Sequence, residues 1–379
     1  MAYHHRKMSF PEFRFVLLIL LSASLSHAAP FGQPGQPATS ENRTGDEIII
    51  CGQYFHTGTA VVLWSDPGGY QAPAFFHHPV TRPATTEPIT EPSVEIIRGD
   101  DLTLDQLRPH VDQFVIHFDA CGLSKECFRV LQRRHLSVHF MCDLDGTIYQ
   151  TMDLRDDAAH ATIANPRSIG VETAQIGCIA NDESIALLKQ WYRRYDGVTW
   201  ITIPARFGDG GIRTPHFRGC PLRPFLITGQ LQGKTYHQYD YTWQQYKALS
   251  HLAATLCTIF PKIQPDYPRQ RTSFGPPATI ATTQPASGDP TTQPAALADQ
   301  DQPGVLIPHA LSPDQYDAYQ GILGHYHVQL NKNDPGPAFQ WPLFISETRN
   351  LMSRAALAAR HQPAIDTPGI PEPATLPSN

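Results

Sequence analysis

Short apolar runs broken by turns constrain this chain more than any other feature. Gln113-Phe114-Val115-Ile116-His117-Phe118, Leu136 to Cys142, Thr147 to Gln150 and Ser168 to Ala174 are each too short for a typical helix and rich in strand formers. Asp143-Leu144-Asp145-Gly146 is a turn that folds two of these runs into a hairpin. Helical periodicity lies between and beyond them. It covers Leu102 to Val111 behind the cap candidates Asp100 and Asp101, then Cys127 to His135, and most clearly Thr242 to Phe260, where Trp243, Tyr246, Leu249, Leu252, Ala253, Leu256 and Phe260 share a face. Strands alternating with helices predict an α/β chain, a sheet with helices packed on it.

The segments outside this frame are of a different kind. Proline makes up 35 of 379 residues, about twice the usual ~5%, and gathers in stretches that read as connectors. Residues 29–93 read as a leader with a small β element: Asp46 to Cys51 and Ala60 to Trp64 as a hairpin, then a Pro/Thr-rich linker. Residues 268–304 are poor in large apolar groups and read as a disordered insertion. Ile185 to Tyr195 has helical character, and the stretch on to Gly233 is loop-rich, without an assignable role. Ser312-Pro313-Asp314 opens a short helix with Ser312 as its N-cap. Residues 349–379 are expected to hold the end of a last helix, begun near Leu343, and a mobile Pro-rich tail.

Arg6, Lys7 and Arg14 precede an apolar core from Phe15 to Leu21, and Ser26-His27-Ala28 follows. This pattern predicts a signal peptide over residues 1–28 and export to the periplasm or medium. The apolar run falls short of the ~20 residues that span a bilayer, so no transmembrane segment is expected after cleavage. Seven cysteines are compatible with disulfides in an exported chain, with at least one left over. Net charge is −6 and no basic stripe stands out, which argues against nucleic acid as a partner. A monomer is expected.

Chemistry concentrates in one loop, Gly324 to Phe339. It carries His325, His327, Lys332 and Asp334 and stops at Pro335-Gly336-Pro337. A histidine and a carboxylate this close suit a hard-to-borderline cation such as zinc, which in catalytic sites takes three protein ligands and keeps one position open. The best third ligand is His117, about 200 residues upstream.

Taken together, the motifs resemble one family. Phe114-Val115-Ile116-His117, Val138-His139-Phe140 with Asp145 to Gln150, Ala159-His160-Ala161, Ser168-Ile169-Gly170-Val171-Glu172, and Gly324-His325 with Lys332, Asp334 and Pro335 to Phe339 occur in the order found in zinc-dependent N-acetylmuramoyl-L-alanine amidases of type 2. The resemblance spans about 94–345 and places an amidase domain over 94–348. It implies a central mixed β-sheet flanked by helices, shared with the animal peptidoglycan recognition proteins. It also implies hydrolysis of the amide between the lactyl group of N-acetylmuramic acid and L-alanine, with peptidoglycan or muropeptide as substrate.

Carried over residue by residue, the resemblance makes His117, His325 and Asp334 the Zn2+ ligands, with Asp334 as in the bacterial branch. Eight residues separate His325 from Asp334, one fewer than that branch leads one to expect. Glu172 takes the place of the acid/base and Lys332 that of the oxyanion stabiliser. His160 falls at the pocket rim as a substrate-binding residue. Cys121 and Cys127 match a disulfide of the animal proteins, with two free thiols as the alternative. The chemistry stands on its own terms: an amide is a poor electrophile, zinc polarises it and acidifies water, and a base must relay the proton. His327 competes with His325 as a ligand, and His139 reads as sheet packing. Two other readings remain: a non-catalytic peptidoglycan-binding module, and a different zinc hydrolase of wall peptides.

Overall fold

The computed structural model describes residues 31–73, 80–83, 94–99, 101–180, 185–271 and 304–361. The expected signal peptide, most of the Pro/Thr connector expected at 78–93, nearly all of the 268–304 insertion and the 362–379 tail lie outside these residues; within that connector Val80–Pro83 is instead a strand paired with Val94–Arg98.

The centre is a six-stranded sheet of β1 (Val61–Val62), β2 (Gln113–Phe118), β3 (Phe140–Cys142), β4 (Ile148–Gln150), β5 (Ser168–Thr173) and β6 (Gly321–Gly324). The spatial order is β6-β2-β5-β3-β4-β1. Strands β6, β2, β5 and β3 run parallel, β4 returns antiparallel to β3, and β1 pairs parallel with β4. The sheet is therefore mixed, as expected. The run at Ala60 to Trp64 differs from expectation: it does not pair with the Asp46 run but supplies the edge strand β1. The Asp46 run instead makes its own hairpin, Glu47–Ile50 with Gln53–His56. Cys51 and Gly52 at its tip both take positive φ, the geometry of a two-residue turn matched to strand twist. Asp153 accepts the amides of Cys51 and Gly52 at 2.7 and 2.8 Å, and Gln150 brackets Ile49 through both its amide atoms.

Alternation along the strands sorts their side chains into two faces. Phe114, Ile116, Ile169, Val171 and Ile322 are buried against helices α2 (Trp243–Ile259) and α4 (Trp341–His361). Each fully buried side chain of this size contributes about 1.5–3 kcal/mol. Helix α2 begins at a capping box between Thr242 and Gln245, and Trp243, expected on its buried face, is 48% exposed. On the other face, α1 (Ser124–Arg133) packs Cys127 and Leu131 against Met141 and Tyr149. Val115 and Leu323 meet Ala161, Ala164 and Tyr316, the last from the short helix α3 (Pro313–Ala318), capped by Ser312 as anticipated.

Several elements begin or end elsewhere than the sequence suggests. The helix expected over Leu102 to Val111 runs from Leu104 to Leu107 and continues as a tighter turn to His110; Thr103, and not Asp101, caps it through a capping box with Gln106, while Asp100 lies outside the described residues. The helix from Ile185 stops at Trp191 and continues as a strand, Tyr192–Tyr195, paired with Val198–Ile201. A second ribbon, Ile227–Leu231 with Lys234–Gln238, fills part of the stretch that read as loop. Arg269–Arg271 and Gly304–Leu306 pair antiparallel across the insertion.

One charged side chain ties this architecture together from inside. Arg98 is fully buried and donates to the carbonyls of Leu154 (2.6 Å), Ser168 (2.7 Å) and Pro166 (3.1 Å). Burial lowers its pKa to about 10, which still leaves it charged at neutral pH. Arg98→Leu strands three buried carbonyls, and each lost partner costs about 1–3 kcal/mol. The expected outcome is a loss of roughly 3 kcal/mol or more in urea unfolding, whereas Arg206→Leu at an exposed position should be nearly neutral.

Candidate metal centre

The parallel register builds the site. Glu172 lies opposite His117 between β5 and β2, and Gly324 lies opposite Ile116 between β6 and β2. His325, one residue past Gly324, thus falls beside His117. Three neighbouring strands deliver His325, His117 and Glu172 side by side at their carboxyl ends, where open α/β sheets generally place their ligands.

Asp334 closes the group. Its Oδ2 lies 2.8 Å from His117 Nδ1 and 3.0 Å from His325 Nδ1. The three residues are buried, and their donor atoms lie within 4.8 Å of one another. Ligand atoms around a tetrahedral zinc sit about 3.3 Å apart, given bonds of ~2.0–2.1 Å, so the group is able to hold a cation of that kind. The far side of each ring is occupied. His117 Nε2 lies 3.0 Å from His160 Nδ1, and His325 Nε2 lies 2.6 Å from Gln329 Oε1. Gln329 can only accept there through its oxygen, so the assigned tautomer carries the proton on His325 Nε2 and leaves Nδ1 with a free lone pair. His160 Nδ1 meets His117 Nε2, and its own Nε2 lies 3.2 Å from Ser168 Oγ. Such outer partners fix ring orientation and ligand basicity.

The electrostatics fit a cation. Burial, then the neighbouring His325, lowers the His117 pKa to about 4, so the ring is neutral at pH 7. Burial would raise the Asp334 carboxyl, but the neighbouring imidazoles of His325 and His117 hold it well below the usual range. Glu172 is half-buried, and its Oε2 is enclosed without a hydrogen-bond partner among the described residues. Burial, then Asp334 and Asp119, pushes its carboxyl well above the ordinary value, against the pull of Lys332. Lys332 is half-buried, and its charge bears on both Glu172 and His117.

The loop after His325 is held by residues that sequence reading did not single out. Gln232, at the tip of the Ile227–Gln238 ribbon, donates to the carbonyls of Tyr326 (2.8 Å) and Gln329 (3.0 Å). Gln238 donates to Pro335 O and accepts from Ala338 N, and Tyr241 also donates to Pro335 O. Gly336 has φ +88°, and a Cβ there would sit 2.1 Å from Gln238 Oε1. The only advance signal for Gln329 was its place four residues after His325, one helical turn on.

The other sequence candidates sort as follows. His327 faces away: it accepts from Gly324 N at 2.9 Å and donates to Ile307 O at 2.9 Å, so it is a satisfied core histidine. His139 is likewise satisfied by Gly170 N and Asp156 O. His160 is half-buried behind His117. Cys121 and Cys127 are adjacent but not bridged; all seven cysteines are free thiols, and a hydrogen bond to Cys121 together with burial holds the Cys127 thiol well above its usual value. The expected disulfide is thus not formed here, the two sulfurs being in hydrogen-bond contact instead.

Residues 106–337 match the family model described as N-acetylmuramoyl-L-alanine amidase. That stretch is well over half of the chain, and the chain belongs to this family. Among solved structures, it is similar to the AmiD amidase of E. coli in complex with anhydro-N-acetylmuramic acid-L-Ala-D-γ-Glu-L-Lys, at 14% identity and TM-score 0.30, over 63% of this chain and 58% of that one. The chain thus spans under two thirds of the AmiD chain's length. It is also similar to a selenomethionine derivative of AmpD, at 15% identity and TM-score 0.27, over 63% of this chain and 87% of the other. No curated protein matches it. Among the described residues no helix is long and apolar enough to cross a membrane.

Gly170 leaves room for the ring behind His117: a Cβ at this position would sit 2.5 Å from His160 Nδ1. Gly170→Ala must move that ring. The expected result is a loss of about 1–3 kcal/mol in chemical denaturation, together with a shifted imidazole signal of His117 in NMR spectra. Ala205→Gly, at an exposed position on a separate turn, should leave the His117 signal in place.

Proposed function

We propose that the chain is an exported zinc amidase that hydrolyses the bond between the lactyl group of N-acetylmuramic acid and the L-alanine of peptidoglycan stem peptides. The observation that carries this reading is the convergence of His117 Nδ1, His325 Nδ1 and Asp334 Oδ2, with both Nε2 atoms turned outward to fixed partners. A two-histidine, one-carboxylate set is a donor combination of catalytic zinc. Bound zinc supplies a Lewis acid that polarises the amide carbonyl and acidifies water.

The remaining work falls to the protein. Glu172, beside His117 on the next strand, takes the proton of the attacking water and returns it to the leaving L-alanine amine. Its raised pKa, caused first by burial, suits a group that must hold a proton between those steps. Lys332 brings positive charge to the same side and stabilises the oxyanion as it develops. His160, against His117 Nε2, orients that ring.

Two measurements test this reading. Purified protein incubated with soluble muropeptide should release a free L-alanine amine and a lactyl carboxylate, detected by mass spectrometry. Chelator should abolish release and zinc restore it; an absence of new termini sinks the proposal. Glu172→Gln should lower kcat by about 10²–10⁴-fold while retaining metal. Separately, zinc at 100 times its Kd should stabilise the apoprotein by about 2.7 kcal/mol, seen as a higher Tm, and Asp334→Asn should remove most of that shift.

A further inference from the structure

Among the described residues, the ribbon Tyr192–Tyr195 with Val198–Ile201 leaves one face largely exposed, and its chemistry is definite. Its register pairs Tyr192 with Ile201, Arg193 with Trp200, Arg194 with Thr199 and Tyr195 with Val198. Alternation therefore puts Tyr192 and Thr199 on one face, and both are buried. Arg193, Tyr195, Val198 and Trp200 share the other face. Tyr195 is 77% exposed and Val198 37%, and Arg193 is also exposed. The guanidinium of Arg218 lies 4.9 Å from the centroid of the Trp200 ring, adding a second cation to this face. Among the described residues neither Arg193 nor Arg218 is paired with a carboxylate.

The ribbon sits at the same end of the sheet as the metal group. Tyr192 packs in a cluster with Leu123 and Ala174, the latter two residues beyond Glu172. Its ring also lies 4.2 Å from that of Tyr239, whose carbonyl accepts from Gln175 Nε2. The position is fixed from below by the Asp196-Gly197 turn, with both residues at positive φ.

We infer that this face is a second binding site, one that docks the glycan strand of polymeric peptidoglycan outside the catalytic pocket. The inference rests on the amidase reading for the identity of its ligand. Aromatic rings offer flat apolar surfaces to the C–H faces of sugar rings, and free guanidinium groups pair with the carboxylates of neighbouring stem peptides. A chain with net charge −6 has no general attraction for an acidic polymer, so Arg193 and Arg218, beside exposed Tyr195 and half-buried Trp200, localise that attraction. A bilayer surface fits less well, because Val198 is the only aliphatic side chain on the face and offers little to bury.

The test uses the full-length protein and two variants, Arg193→Glu/Tyr195→Ala and Arg218→Glu, all at exposed positions and checked for unchanged Tm. Binding is read by co-sedimentation with purified sacculi, and catalysis by hydrolysis of a soluble muropeptide. Sacculus binding should weaken at least about tenfold, with soluble turnover unchanged. Unchanged sacculus binding overturns the inference. So does a parallel loss of soluble turnover, which would make the ribbon part of the catalytic pocket. Retention of anionic phospholipid vesicles or single-stranded DNA by the same face, with sacculus binding unaffected by the variants, also overturns it. A wild-type protein that cleaves no muropeptide yet binds sacculi through these residues would defeat the amidase proposal and leave this one standing.

Discussion

Everything at the metal centre depends on the register of three parallel strands. The pairing of Glu172 with His117, and of Gly324 with Ile116, puts three functional side chains in one row across the sheet. A slip of one residue in any pair would turn one of them toward helices α2 and α4. That slip is opposed from the other face, where Phe114, Ile116, Ile169, Val171 and Ile322 are wholly buried. The apolar core and the polar row are thus the two sides of the same strands, and the packing that stabilises one sets the geometry of the other.

The row works only because histidine is used in several distinct ways. His117 and His325 present one nitrogen to Asp334 and rest the other on a fixed partner. His160 is such a partner. His139 and His327 use both nitrogens on backbone groups and serve as buried cross-braces. Burial keeps the last two neutral, with pKa values lowered to about 3. A residue that would otherwise titrate near neutrality is in this way confined to structural roles wherever it is enclosed and satisfied.

Much of this was legible in the sequence. The strands at Gln113, Thr147 and Ser168, the helix after Thr242 and the Ser312 cap were readable because their patterns are local: alternation, periodicity, a capping residue. His117, His325 and Asp334 were readable because five motif blocks fell in a known order. What stayed hidden was set by contacts between distant segments. Nothing near Gln232 announces that it grips a loop almost 100 residues on, since that depends on a ribbon whose own strands lacked clean alternation. The Asp196-Gly197 turn was a missed local signal, masked by the helical look of Ile185 to Trp191. Val61–Val62 is too short to show which strand it will join.

The paired ends of the long insertion have a consequence for the rest of the chain. Arg269–Arg271 and Gly304–Leu306 leave and re-enter the domain as neighbours. Their backbone pairing fixes both sides of the insertion at one junction. Closing a loop twice as long costs only about 0.6 kcal/mol more. A change in the length of the intervening chain is thus a small entropic term at this junction, while the row of His325, His117 and Glu172 is set elsewhere, by the register of the central sheet.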